Sequence, residues 1–209
     1  MRTRILKKTF IFGLGICLSL LFSCQKPESQ IITVNGAIPE SAMGKTLHHE
    51  HLLVDFIGAD STGYHRWNRD EVVEKVLPYL KEIKDLGYET LVECTPAYIG
   101  RDPKLLQLLS EKSGIKLITN TGYYSAVNAK FLPEHAFEET AAQLAERWID
   151  EAENGIEDTG VYPGFIKISV ERKPLEPINQ KIVEAACITH LATGLTIMSH
   201  TGLSTPAFQ

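Results

Sequence analysis

Short apolar runs alternate along this chain with longer segments whose apolar residues recur every three or four positions. The first pattern predicts strands and the second helices. Ile31 to Val34 and Ala37 to Ile38 flank Asn35-Gly36, a hairpin-turn signal. Thr46 to Asp55 reads as the end of a first core strand carrying His49 and His51, followed by a polar, aromatic loop from Phe56 to Trp67. Asn68 with Glu71 reads as a capping box. It opens a helix burying Val72, Val73, Val76, Leu77, Leu80, Ile83 and Leu86, bent or split at Pro78 and ended by Gly87. Glu89 to Cys94 is the second strand. Asp102 is the N-cap and Pro103 the first residue of a helix with Leu105, Leu106, Leu108 and Leu109 on its apolar face, stopped by Gly114. Ile115 to Thr119 is the third strand, and Pro133 starts one long helix through Ile149. Val161 to Val170 contains the fourth strand. Ile178 to Thr193 is a helix ended by Gly194, and Leu195 to Ser199 is a fifth strand closed by His200.

Strand followed by helix, repeated with short apolar strands, predicts an α/β fold with a parallel sheet covered by helices. An open doubly wound sheet and part of a barrel both fit. No Gly-rich phosphate fingerprint follows any strand, which weakens a dinucleotide-binding reading. The 209 residues suffice for one sizeable core but fall short of the roughly 250 of a closed eight-stranded barrel. A net charge of −5 with no basic stripe speaks against nucleic-acid binding.

The N-terminus changes the picture. Arg2, Arg4, Lys7 and Lys8 precede an apolar run from Phe10 to Phe22, too short to span a bilayer stably. Leu21-Phe22-Ser23-Cys24 resembles the lipobox of bacterial lipoproteins, with Cys24 as the lipidated residue; a plain secretory signal cut near Ser23 is the alternative. Residues 1–23 are thus expected to be a signal peptide, 24–30 a lipidated tether, and 31–209 the folded part. Losing the four cations takes the charge from −5 to −9. The expectation is an acidic, exported protein anchored by lipid to a bacterial membrane, the outer membrane facing the periplasm. The cysteines left in the fold, Cys94 and Cys187, sit in apolar segments and read as buried free thiols, with a bridge between them the alternative in an oxidising compartment.

Candidate chemistry collects at the ends of strands. His49 and His51 alternate with Glu50, so both imidazoles share one face and can ligate one metal ion. Ordinary polar core histidines are the bland alternative. Lys167, in Gly164-Phe165-Ile166-Lys167-Ile168-Ser169, is flanked by apolar residues. Burial favours its neutral amine, which can add carbon dioxide to give a carbamate that bridges two cations. Otherwise it snorkels to water or pairs with Glu93 or Glu171. His200 ends strand five. Glu93 could face the metal centre or the helix layer and is read as structural, and His135 and His190 as surface groups on helices.

Together, Thr46-Leu47-His48-His49-Glu50-His51, Ile99-Gly100-Arg101-Asp102, Gly155-Ile156-Glu157-Asp158-Thr159-Gly160, Gly164-Phe165-Ile166-Lys167 and Leu191-Ala192-Thr193-Gly194 through Ser199-His200-Thr201 resemble the phosphotriesterase-related family of the amidohydrolase superfamily, in order and spacing. The resemblance implies a (β/α)8 TIM-barrel of the metal-dependent hydrolase type, truncated after about strand five. It implies two divalent metal ions, expected to be Zn2+. His49 and His51 hold the buried ion, His200 the exposed one, and carbamylated Lys167 bridges both. A hydroxide between the ions is the implied nucleophile. The family's remaining ligands, a strand-six histidine and a strand-eight aspartate, are not within these residues. Gly202 to Gln209 reads as the start of a helix, so a truncated sequence is expected, one that alone lacks parts of the machinery. Tyr124 falls where the lactonase-like branch carries tyrosine and the organophosphate-hydrolysing branch tryptophan. It is the substrate-binding candidate and favours a lactone or carboxyl ester over a phosphoester. Family members often form homodimers. A surface-tethered binding lipoprotein that has lost its chemistry is the alternative of a different class.

Overall fold

In the computed structural model, which describes residues 29–171 and 174–202, the chain opens with an antiparallel hairpin. Strand β1 is Gln30–Thr33 and β2 is Gly36–Pro39, with Thr33 opposite Gly36. The loop is therefore Val34-Asn35, one residue earlier than the Asn35-Gly36 signal places it. Gly36, at φ +111°, opens β2 instead. Val34 is buried, and its N–H donates to the Leu117 carbonyl at 2.9 Å, fastening the hairpin to the third strand of the main sheet. The signal segment 1–23, Cys24 and most of the tether lie outside the described residues.

The main strands are β3 (Thr46–Glu50), β4 (Thr90–Glu93), β5 (Lys116–Ile118), β6 (Asn120–Thr121), β7 (Phe165–Val170) and β8 (Thr196–Thr201). Every pairing among them is parallel. β5 and β6 are two halves of the predicted third strand. β5 pairs with β4, β6 pairs with β7, and Thr119 lies between. The break arises because the Thr119 carbonyl accepts the Gly164 N–H at 2.8 Å, outside either ladder, as the strand changes neighbours. A bridge between Ala97 and Tyr123 continues the contact between the second and third strands. The parallel α/β arrangement agrees with the sequence reading, and the described residues form no closed barrel, consistent with part of one.

Helices α1 (Arg69–Asp85), α2 (Pro103–Ser113), α3 (His135–Glu138), α4 (Ala141–Asn154) and α5 (Pro177–Thr193) connect the strands. Asn68 caps α1 by accepting from Asp70 and Glu71 N–H. Pro78 does not split the helix. It lies on the exposed face, where water can satisfy the carbonyl it leaves unpaired. Leu86, expected in the core, is 64% exposed because it caps the C-terminus instead of continuing the apolar face. Gly114 and Gly194 end α2 and α5 in left-handed conformation. The long helix expected from Pro133 to Ile149 is two helices. Thr140 and Gln143 form a reciprocal capping box that starts α4 afresh, and Glu139 before it is extended. Cys187 is exposed on α5, not buried, while Cys94 is buried as expected; both are free.

Two outer clusters hold the helices on the sheet. One packs Leu105, Leu106 and Leu109 of α2 and Val73 and Leu80 of α1 on Leu91 and Leu117. The other packs Leu144 and Trp148 of α4 and Ile182 of α5 on Ile166 and Ile168. Burying each such large apolar side chain contributes about 1.5–3 kcal/mol. A smaller cluster of Val92, Cys94, Ile118 and Phe165, with Met198 against it, lies on the other face of the sheet. That inner face carries the candidate site.

Candidate metal centre

Alternation along β7 decides where Lys167 goes. Ile166 and Ile168 pack outward under the helices, so Phe165 and Lys167 turn to the inner face. The same logic on β8 sends Ile197 outward and Met198 and His200 inward. Strand β3 needs an irregularity. Leu47 packs in an outer cluster, and strict alternation would place His49 beside it. The register instead runs Leu47 opposite Leu91 and Glu50 opposite Glu93, so His48 and His49 share the single position opposite Val92. This β-bulge moves His49 off the Leu47 face and onto the inner one.

His49, His51, Lys167, His200 and Tyr124 then line one cavity of about 230 Å³, with Val54, Phe56 and Ile99. The rings of His49 and His51 are 5.4 Å apart, as are those of Tyr124 and His200. Gly122 lets the third and fourth strands close up: a Cβ there would stand 2.3 Å from the Lys167 carbonyl oxygen, and its φ is +105°. All four predicted metal-holding side chains and the predicted substrate contact are therefore brought together. Cys24 lies outside the described residues.

Electrostatics favours uncharged donors. Lys167 is 1% exposed, and its Nζ has no hydrogen-bond partner. Desolvation lowers its pKa, against weak support from Cys94 and Glu93. Neither the snorkelling nor the ion-paired alternative is realised. Desolvation of the His51 ring, then the charges of His49, Lys167 and His200, push its pKa down to about 4. His49 is lowered by desolvation first, then by Lys167 and His200. Among the described residues, no three His, Cys, Asp or Glu side chains gather tightly enough to hold an ion by themselves. The donor set is instead three imidazoles lining the cavity with an orphaned amine among them. That chemistry fits divalent cations: lone pairs are available on the rings, and a buried nitrogen lacks any protein partner.

Behind the cavity lies a layer of polar contacts that the sequence reading did not assemble. His51 Nδ1 is 2.9 Å from Thr95 Oγ1, and the Thr95 hydroxyl donates to Glu93. Glu93 is 1% exposed and also accepts from the N–H groups of Leu52 and Thr95, both at 3.2 Å. Burial raises its pKa to about 7 despite these hydrogen bonds. Nothing in the residue types around Thr95 marks it; only the fold brings it to His51. His135 is half-buried, not a surface group. It is 3.0 Å from the Tyr123 hydroxyl and packs edge-on against Tyr98 and Tyr123. Asp102 caps α2 through Leu105 N–H and also accepts from Trp67 Nε1 at 2.9 Å and Arg69 Nε at 2.7 Å. Trp67 is thereby committed to structure, away from the histidines.

With this geometry in place, comparison with known proteins is informative. The phosphotriesterase family model matches residues 29–209. The chain belongs to the phosphotriesterase family. It is 32% identical over 166 residues to a phosphotriesterase homology protein of Escherichia coli (strain K12), covering 78% of this chain and 54% of that protein. It is 27% identical to an aryldialkylphosphatase of Saccharolobus solfataricus, covering 78% of this chain and 51% of the relative. An N-acetyltaurine hydrolase of Homo sapiens is 26% identical, with 86% and 58% covered. Among solved structures, a mutant organophosphorus hydrolase from Deinococcus radiodurans superposes with a TM-score of 0.77 at 26% identity, covering 88% of this chain and 57% of that one. The chain thus spans about half the length of the curated relatives it matches.

Proposed function

We propose that this chain carries metal-holding residues of a hydrolase that opens ester-type bonds, lactones or carboxyl esters in preference to phosphoesters. The observation that carries this reading is Lys167: a buried amine without a partner, on the same cavity wall as three imidazoles. His49 and His51 would hold one divalent ion, zinc by preference, and His200 a second. Lys167, as its carbamate, would join the two. A pair of such ions supplies Lewis acidity toward a carbonyl or phosphoryl oxygen and a nucleophilic water at neutral pH. The chain's own contribution is positional. Phe165 and Met198 flank the inner face, Val54, Phe56 and Ile99 make the cavity wall apolar, and Tyr124 stands over His200 where a substrate would lie. Tyr124 supports the lactone preference. Relatives that carry the names of a phosphoester and an amide hydrolase support hydrolysis as the reaction type.

The test is metal analysis of the purified full chain combined with a substrate panel of γ- and δ-lactones, p-nitrophenyl carboxyl esters and diethyl p-nitrophenyl phosphate. Two divalent ions per chain is the expected result, with lactones the fastest substrates wherever hydrolysis is seen. No bound metal would overturn it and leave a tethered binding protein as the better reading. The location belongs to the same proposal: export and lipidation at Cys24, with anchoring at a bacterial membrane, and pairing as a homodimer. Cys24→Ser should abolish incorporation of labelled palmitate, and light scattering should return twice the chain mass.

A further inference from the structure

We infer that Thr95 and Glu93 are positioning residues for His51, fixing which of its ring nitrogens faces the cavity and thereby how tightly the site holds a divalent cation. The inference rests on the metal-site reading above and adds residues to it that touch neither ion nor substrate. Proton counting assigns the ring nitrogens. A hydroxyl has a single proton, and that of Thr95 goes to Glu93. The Thr95 oxygen can then only accept, so His51 Nδ1, 2.9 Å away, must carry a hydrogen. In a neutral imidazole that leaves the lone pair on Nε2. Every contact recorded for the Glu93 carboxylate is with a donor: Leu52 N–H and the Thr95 hydroxyl on Oε1, Thr95 N–H on Oε2. As an ionised carboxylate Glu93 can only accept, and the chain of bonds then has one polarity.

The relay is itself held rigidly. Asn120 Nδ2 donates to the carbonyls of Glu93 at 3.0 Å and Thr95 at 3.2 Å. The Asn120 carbonyl accepts from Arg101 Nη1 at 2.8 Å, and Arg101 makes a two-pronged pair with Glu151 of α4 at 2.6 and 2.8 Å. Thr95, Asn120 and Arg101 are all buried. Partners that orient a metal-holding histidine typically change metal affinity by about 10–100-fold when removed.

The experiment uses the full chain, stripped of metal, at pH 8. Long-range nitrogen–proton NMR on imidazole-labelled protein should show His51 protonated at Nδ1. Thr95→Val, of the same shape without the hydroxyl, should populate the Nε2-protonated form. In a competition titration with a chromophoric chelator, its zinc affinity should fall by about 10–100-fold. Thr95→Ser keeps the hydroxyl and should restore both readouts. A wild-type His51 protonated at Nε2 would overturn the proposal, as would Thr95→Val with unchanged tautomer and zinc affinity. If the wild type takes up no zinc at all, the hydrolase reading fails, yet the ring tautomer in the metal-free protein still decides the relay. If Thr95→Val does not fold, the wild-type tautomer and the Thr95→Ser variant decide it.

Discussion

Lys167 sits in the core of a strand with nothing to bond, a costly place for an amine. An unsatisfied buried polar group costs about 1–3 kcal/mol, and such a cost persists where something other than stability requires it. Lys167→Met keeps the stem and removes the amine. In metal-free protein it should raise stability by about 1–2 kcal/mol, read as a higher thermal midpoint. The same variant should lose bound metal. A variant that is both less stable and fully metal-loaded would argue that Lys167 is an ordinary core residue. Asp102 makes the opposite case. It satisfies the α2 N-terminus, Trp67 and Arg69 at once. Asp102→Ala should cost about 1–3 kcal/mol in urea denaturation by stranding the buried Leu105 N–H and the half-buried Trp67 indole N–H, while Arg69 keeps access to water; metal content per folded molecule should be unchanged.

Between elements, the decisive features are the bulge in β3 and the close approach at Gly122. The bulge is a single extra residue, yet without it His49 would share the helix-facing side with Leu47. Gly122 lets the chain after β6 press on the β7 backbone at Lys167. Gly122→Ala places a methyl group against that carbonyl at a backbone conformation unfavourable for alanine. It should destabilise the fold by at least about 3 kcal/mol in chemical denaturation and displace Lys167 enough to reduce metal uptake. Helix ends were more legible. Gly114 and Gly194 sit where the apolar periodicity stops, and each adopts the left-handed cap. The start of α4 was equally readable: Thr140 and Gln143 have capping-box spacing, but the apolar pattern running on from Ala136 masks it.

At the scale of the molecule, the two outer clusters are separate, and Arg101 links their territories. From the loop after β4 it reaches Asn120 in β6 and Glu151 in α4. Its side chain is 2% exposed and that of Glu151 20% exposed. Removing one partner of a buried pair leaves the other charge poorly solvated. Arg101→Leu should therefore cost about 3 kcal/mol, discounted from the fully buried case because Glu151 retains some water. Hydrogen exchange should show β6 and α4 loosened together, while exchange in the interior of α1 and α2 stays unchanged. Loosening confined to the Arg101 loop would show that the pair is a local clasp.

The sequence by itself determined the alternation of strands and helices, the caps that end most helices, and the chain positions of His49, His51, Lys167 and His200. These follow from local periodicity and from residues with distinctive backbone or side-chain chemistry. Only the tertiary structure decided that His49 turns inward, that the third strand changes neighbours at Thr119, that Cys187 faces solvent, and that Thr95 stands behind His51. Each of those depends on strand register or on contact between residues distant in the chain. Register is a relation between two strands, so the pattern of either one alone leaves it open.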